Sequence, residues 1–427
     1  MDLATLSLLA LAAIVLLSCV TRVNIGLLAL SLAWVIGTYV APRYGYDYDA
    51  RTVAGFFPVD LFVKLAGVTL LFSIAQRNGT LQLVTTTGLR ACRGKNALVP
   101  FMFFILACGL SASGAGNIPS VALLASSAML AGRQAGISPL VMTLMVAHGS
   151  IAGNLSPLTP MGIIAEKNLA ELGLVGYSGY TFGMNFAANA LVALLGYVLF
   201  RGWRLAPPDA SSEIDAATSS PVSPASTDDN TALDAPRAFT LVLLALLIVG
   251  VIRFGVDIGF AGFAASALLV VTGCGDDRAA IRDMPWSVIL MVCGVTVLVA
   301  LCEKTGGLDL FSALIARVAT AETISAWMAG STGLISVFSS TSGVVMPTFL
   351  PTVAGVAERV GSDDLLGIAT SVNIGSNLVD VSSLSTLGAL CVAAVPNEAA
   401  RRKLFRQALV WGLSMSLVAA ALCWAVF

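Results

Sequence analysis

Residues 153–160 read GNLSPLTP, and they interrupt an apolar run: PLVMTLMVAHGSIA precedes them and MGIIA follows. Pro157 has no N–H to offer the carbonyl of Gly153, and Pro160 has none for that of Ser156. The prolines therefore open a helix over about one turn. Asn154, Ser156 and Thr159 fill that turn, and Gly153 permits close approach of a neighbouring backbone. The freed carbonyls are suited to a cation, and the half-helix starting near Met161 offers N–H groups and a positive dipole end to an anion.

The rest of the chain supplies the setting of this break. Of 427 residues 57% are hydrophobic and 11% charged, against about 25% charged in an ordinary soluble domain. Mean hydropathy is +0.90, and apolar runs near the ~20 residues needed to cross a bilayer recur throughout. The expectation is an all-α polytopic membrane protein. A net charge of −1 gives no basis for nucleic-acid binding. The eight cysteines are scattered with no CxxC pair, which argues against a disulfide or zinc framework. The N-terminal MDLATLSLLALAAIVLLSCV lacks a basic leading region and reads as a retained span.

Residues 203–238 are different. Pro, Ser, Ala, Thr and Asp dominate this stretch, and it cannot bury enough apolar surface to fold. It reads as a disordered linker between a first membrane repeat, 1–202, and a second, 239–427. The halves share two polar islands in the same order. The first half has CGLSASGAGNIPSVALL and then the GNLSPLTP break; the second has TGLISVFSSTSGVVMP and then VNIGSNLVDVSSLSTLGAL. A shift of about 223 residues sets Asn117 near Thr341, Asn154 on Asn377 and Thr159 on Ser382.

Full spans are expected near 3–20, 23–41, 59–76, 139–165 and 181–200, then near 239–254, 257–272, 286–302, 364–395 and 406–427. Residues 98–132 and 325–357 each hold two short apolar runs around small and polar residues, and read as re-entrant helical hairpins. The broken helices are 139–165 and 364–395. Five full spans per half is an odd number, so the second repeat is inverted relative to the first. Lys and Arg concentrate on one side, including Arg77, Arg133, Arg237 and the run Arg401, Arg402, Lys403. That side, with the linker, is expected to be cytoplasmic, and both termini outside.

Asp380 is the one acidic side chain deep inside an expected span, and an intramembrane carboxylate is a functional candidate. No basic partner at similar depth is evident. His148, the single histidine, reads as a packing residue and receives no role.

Two hairpin tips meeting two broken helices describe a secondary transporter. Here the chain resembles the ion transporter superfamily, and within it the divalent anion:sodium symporters and the MatC-type malonate/dicarboxylate carriers. GAGNIPS, AGNLSPLTPMGIIA, SSTSG and GSNLVDVSSLSTLGAL carry the resemblance. Relatives place Ser-Asn-Thr at each tip and Thr-Pro in each broken helix. This chain keeps Asn117 at the first tip, Ser340 at the second and Thr159-Pro160 in the first break, whereas Ser382-Ser383 lacks the proline.

The resemblance implies a substrate site of Asn117, Ile118, Asn154, Thr159, Pro160, Thr341, Ser342, Asn377, Ser382 and Ser383. It also implies sodium sites at Ser113, Gly116, Asn117, Gly153 and Ser156 in the first half, and at Ser340, Ser342, Asn377 and Asp380 in the second. It further implies cation-coupled movement of a small dicarboxylate by a homodimer in the bacterial inner membrane. The first three spans of each half would form a scaffold past which a transport half moves, and no cofactor beyond the coupling ion is expected. Exchange or proton-coupled transport of another anion, or sodium/proton antiport, would share this architecture. An intramembrane hydrolase would need HExxH or paired aspartates, and neither is present.

Overall fold

Crowded helix crossings set by glycine hold the two halves together. The computed structural model describes residues 2–20, 23–83, 98–202 and 234–427, and all regular structure among them is helical. Six helical stretches are long and apolar enough to cross a membrane: Ile25–Tyr44, Val59–Arg77, Ser178–Leu199, Trp286–Lys304, Leu365–Ala393 and Glu398–Val426. The protein is an integral membrane protein.

In the first half the elements are α1 (Leu3–Val20), α2 (Ile25–Val35), the short α3 (Ala50–Gly55) and α4 (Val59–Arg77). They continue with α5 (Val99–Leu110), α6 (Asn117–Gln134), α7 (Pro139–Gly153), α8 (Pro160–Glu171) and α9 (Ser178–Leu199). The second half runs through α10 (Ala235–Phe254), α11 (Ile258–Val271), the short α12 (Asp277–Asp283), α13 (Trp286–Lys304) and α14 (Gly307–Ile315). Then follow α15 (Ile324–Ser336), α16 (Val353–Val360), α17 (Leu365–Leu378), α18 (Thr386–Ala393) and α19 (Glu398–Val426).

The expected linker falls mostly on 203–233, outside the described residues. Its last residues are already helical: Asp234 caps α10 by accepting the Arg237 N–H at 3.0 Å, so the helix starts before the boundary at 238.

Packing is reciprocal between the halves. Helix α4 lies on α11, and α2 lies on α13. A Cβ on Gly67 would sit 2.0 Å from the Gly259 carbonyl oxygen, and one on Gly294 would sit 2.2 Å from that of Gly26. No side chain larger than hydrogen fits, and small residues at crossings are how membrane helices gain close van der Waals contact. At one end of this layer Arg77 pairs with Asp283, which keeps that carboxyl below the usual carboxylate range.

A second layer joins α5 to α7, α15 to α17 and α19, and α6 to both α7 and α18. Its core includes Phe103, Leu124, Met142, Leu144, Met145 and Ile151, each fully buried.

Candidate functional site

Two helix breaks, between α7 and α8 and between α17 and α18, are built alike. Helix α7 ends at Gly153 and α8 begins at Pro160. Across the gap Thr159 Oγ1 donates to the carbonyls of Asn154 and Ser156 and accepts the Gly162 N–H at 3.0 Å. In the second half α17 ends at Leu378, a tight turn covers Val379–Val381, and α18 begins at Thr386. There Ser385 Oγ donates to the carbonyls of Asp380 and Ser382 and accepts the Gly388 N–H at 3.3 Å. The same hydroxyl cap thus closes both breaks, and only the first adds a proline directly after it.

By these bonds Thr159 corresponds to Ser385, three residues beyond the Ser382 that the sequence alignment pairs with it, and Asn154 corresponds to Asp380. Asn154 and Asn377, set on one another by the sequence alignment, are in contact rather than equivalent. Asn154 Nδ2 donates to Asn377 Oδ1 at 2.9 Å, joining the two breaks across 223 residues. The breaks also depend on glycine: a Cβ on Gly153 would lie 2.3 Å from the Cys108 carbonyl oxygen in α5.

The hairpin tips are irregular for different reasons. Between α5 and α6, a wide helical turn at Ser111–Ala115 is followed by Gly116, and both Gly114 and Gly116 take positive φ. Between α15 and α16, Ser340 caps the turn Thr341–Val345 by accepting the Gly343 N–H at 3.0 Å. Thr341 Oγ1 donates to Asp380 Oδ1 at 2.7 Å and also meets Ser336 Oγ, so this tip is tied to the second break. The first tip has no comparable tie. Asn117 Oδ1 accepts the Ile118 N–H, and Nδ2 reaches only the Met161 sulfur, at 3.9 Å.

A cavity of about 250 Å³ collects both tips and the second break. Asn117, Ile118, Ser340, Thr341, Ser342 and Asp380 line it, together with Met161 and Ser385. Its remaining wall is largely apolar, from Val23, Ile25, Met291, Phe338, Leu384 and Leu387. Asp380 is the only charged residue in this lining, which offers amide and hydroxyl groups but no Lys or Arg. A smaller cavity of about 180 Å³ lies elsewhere between α4, α8 and α13, beside Phe56, Pro58, Lys167, Glu171 and Glu303.

The other sequence-derived positions surround this cavity without lining it. Asn154, Asn377, Thr159 and Ser382 are buried in the breaks, and Pro160 opens α8. Gly153, Asn154 and Ser156 each have their carbonyl taken up within the first break, by the Ser156 N–H or by Thr159. Ser113 donates to the Leu110 carbonyl at 2.8 Å, and the Gly116 carbonyl accepts from Ser120 at 2.7 Å. Ser383 is buried with its hydroxyl unpartnered. Met161 and Ser385 line the cavity and were not singled out from sequence.

A buried polar chain backs the first break. Trp411 Nε1 donates to His148 Nε2 at 3.0 Å, and His148 Nδ1 meets Asn189 Oδ1 at 2.9 Å. Because an indole N–H can only donate, Nε2 is the acceptor and Nδ1 carries the hydrogen. Asn189 Nδ2 donates to Asn185 Oδ1 at 3.2 Å, and Asn185 Nδ2 reaches Asn154 Oδ1 at 3.5 Å. The chain ends at Asn377, whose Nδ2 donates to the Asn373 carbonyl at 2.8 Å. His148 is thus a satisfied interior residue. Asn185 and Asn189, four apart on one face of α9, were the sequence signal for the chain.

Residues 1–154 match a family described as the N-terminus of the dicarboxylate carrier protein MatC. The YdaH transporter of Alcanivorax borkumensis is similar in structure at 15% identity, with a TM-score of 0.59 over 97% of this chain and 98% of that one. MtrF of Neisseria gonorrhoeae, described with a class of antimetabolite efflux pumps, is similar at 14% identity, with a TM-score of 0.54 over 98% and 97%. The fold is shared with these two over nearly the whole length. All three are described as carriers, transporters or efflux pumps, and none as an enzyme. No curated protein matches the chain.

Proposed function

We propose that the protein is a secondary active transporter that moves a small dicarboxylate, of the malonate or C4 type, coupled to sodium. One observation carries the reading: both hairpin tips and the second break converge on one cavity whose polar wall is amide and hydroxyl groups around a single carboxylate, Asp380. The cavity lies just below the roughly 300–1,000 Å³ usual for ligand pockets, a size for a small molecule. A dianion beside Asp380 would be repelled unless a cation sat between them. Ser340, Ser342 and Asp380 provide hard oxygen ligands at that point, and Asn117 provides an amide donor for a carboxylate. The match of residues 1–154 to a dicarboxylate carrier family supports the substrate class.

The reciprocal packing of α4 on α11 and of α2 on α13, with the like build of the two breaks, supports two inverted repeats, each with a re-entrant hairpin. On the Lys/Arg asymmetry, Val23 and Ile25 lie at the cytoplasmic side, so the larger cavity faces inward and the smaller one faces outward. Both lie between α2, α4 and α13 on one side and the tips and breaks on the other. This is the arrangement needed if a transport unit moves past a scaffold, in a homodimer of the bacterial inner membrane with external termini.

A proton-coupled or exchange mechanism is the second reading, since Asp380, the one carboxylate in the cavity lining, could carry a proton in place of a sodium ion beside it. Proteoliposome uptake of labelled malonate and succinate, driven by a sodium gradient or by a proton gradient, separates the two.

A further inference from the structure

The Met161 thioether sits at the first break where a stronger acceptor belongs. Its sulfur takes the Asn154 Nδ2 hydrogen at 3.1 Å and lies 3.9 Å from Asn117 Nδ2. These are the amides of the first break and the first tip, and Met161 itself lines the cavity. A thioether is a weak acceptor, so neither amide is well satisfied, and that of Asn154 is also shielded from water. Asn154 has no alternative: its second amide hydrogen is committed to Asn377 and the residue is buried. Methionine is also unbranched and adaptable, with three rotatable bonds, so its end can leave at small cost.

We infer that Met161 is a displaceable placeholder that reserves the amides of Asn117 and Asn154 for one carboxylate of the substrate. Entry of the anion drives the thioether aside, and a carboxylate oxygen, a far stronger acceptor, takes its position between the two amides. The second half has no equivalent device, since Thr341 and Asp380 satisfy each other directly. The two ends of the site are therefore unequal: one carboxylate binds at the Met161 end, and the cation binds at the Asp380 end. Met161 acts by holding donors ready and is a specificity-setting residue. This inference rests on the dicarboxylate reading and adds the position of one carboxylate.

Two substitutions separate displacement from packing. Met161→Leu keeps the volume and removes the competing acceptor, so malonate and succinate should bind about fivefold more tightly, the equivalent of one ordinary hydrogen bond. Met161→Gln puts a strong amide acceptor against the same donors, so binding should weaken by a similar factor. Titration calorimetry on purified protein in sodium measures both. A second readout does not depend on either variant's affinity. With 13C-methyl-labelled methionine, the resonance absent from Met161→Leu identifies Met161, and it should shift in wild type on adding malonate.

Opposite changes in affinity and a shifted Met161 resonance support the placeholder. Affinities that fall together or stay unchanged, or a Met161 resonance unmoved by saturating malonate, overturn it while leaving the dicarboxylate reading standing. Wild-type protein that binds neither diacid overturns both.

Discussion

Replacing Asp380 by asparagine isolates the charge at the second break. The substitution keeps size and shape, and an asparagine oxygen can still accept the Thr341 hydroxyl that now donates at 2.7 Å, so the tie between tip and break survives. What is lost is the attraction for a cation. For unit charges about 4 Å apart at an effective dielectric near 20, that attraction is worth about 4 kcal/mol. It corresponds to roughly three orders of magnitude in cation affinity. Asp380 is only 8% exposed, so solvent screening reduces this figure little. The assay is initial malonate uptake into proteoliposomes, first against sodium at fixed pH and then against pH at fixed sodium. The variant should show no saturable sodium dependence in the range where wild type saturates, while sodium-independent counterflow of substrate persists. A variant with the wild-type sodium dependence would refute the assignment of Asp380 to the coupling ion.

The buried contacts give further expectations. Gly153→Ala forces a methyl group to 2.3 Å from the Cys108 carbonyl and should lower stability by about 1–3 kcal/mol or more. Gly109→Ala meets nothing within 4 Å and should leave the melting temperature unchanged, as thermal unfolding in detergent would show. His148→Phe strands the Trp411 N–H and the Asn189 oxygen, costing about 1–3 kcal/mol for each. His148→Gln should cost less in the same assay, and equal melting temperatures for the two would contradict the polar chain. Asn154→Ala should abolish uptake, and because Asn154 also holds Asn377 it should lower the melting temperature as well. Retention of wild-type transport kinetics in that variant would remove Asn154 from the site.

The membrane setting and the first break were legible because both are local: apolar run length gives the spans, and Pro157 and Pro160 delete named hydrogen bonds. Similarity of the two polar islands singled out Asn154 and Asn377, but as equivalent positions; that they touch comes only from the packing of the two breaks. The second break was harder to place. Without a proline its landmark is Ser385, and a serine that caps a helix looks in sequence like the serines at 382 and 383. Only the bonds to the carbonyls of Asp380 and Ser382 single it out. The chain from Trp411 through His148 to Asn185 was less legible still, because its first link spans 263 residues and nothing in either local sequence specifies the partner. Met161 read as an ordinary apolar residue of α8. Its importance comes from two amides that reach it from different elements, and no periodicity encodes that meeting.

Sodium-driven accumulation of a diacid tests the account most directly. An inward-moving dianion is opposed by about 2.3 kcal/mol per charge per 100 mV; two co-transported sodium ions cancel that opposition, and a third turns the negative interior into a driving force. Purified protein in liposomes, given labelled malonate or succinate and an inward sodium gradient, should accumulate substrate above its external concentration. Imposing a negative interior should accelerate this uptake, and collapsing the sodium gradient should abolish it. Uptake that ignores the sodium gradient and follows an imposed proton gradient would contradict sodium coupling. The absence of any diacid movement under either gradient would contradict the transport assignment itself.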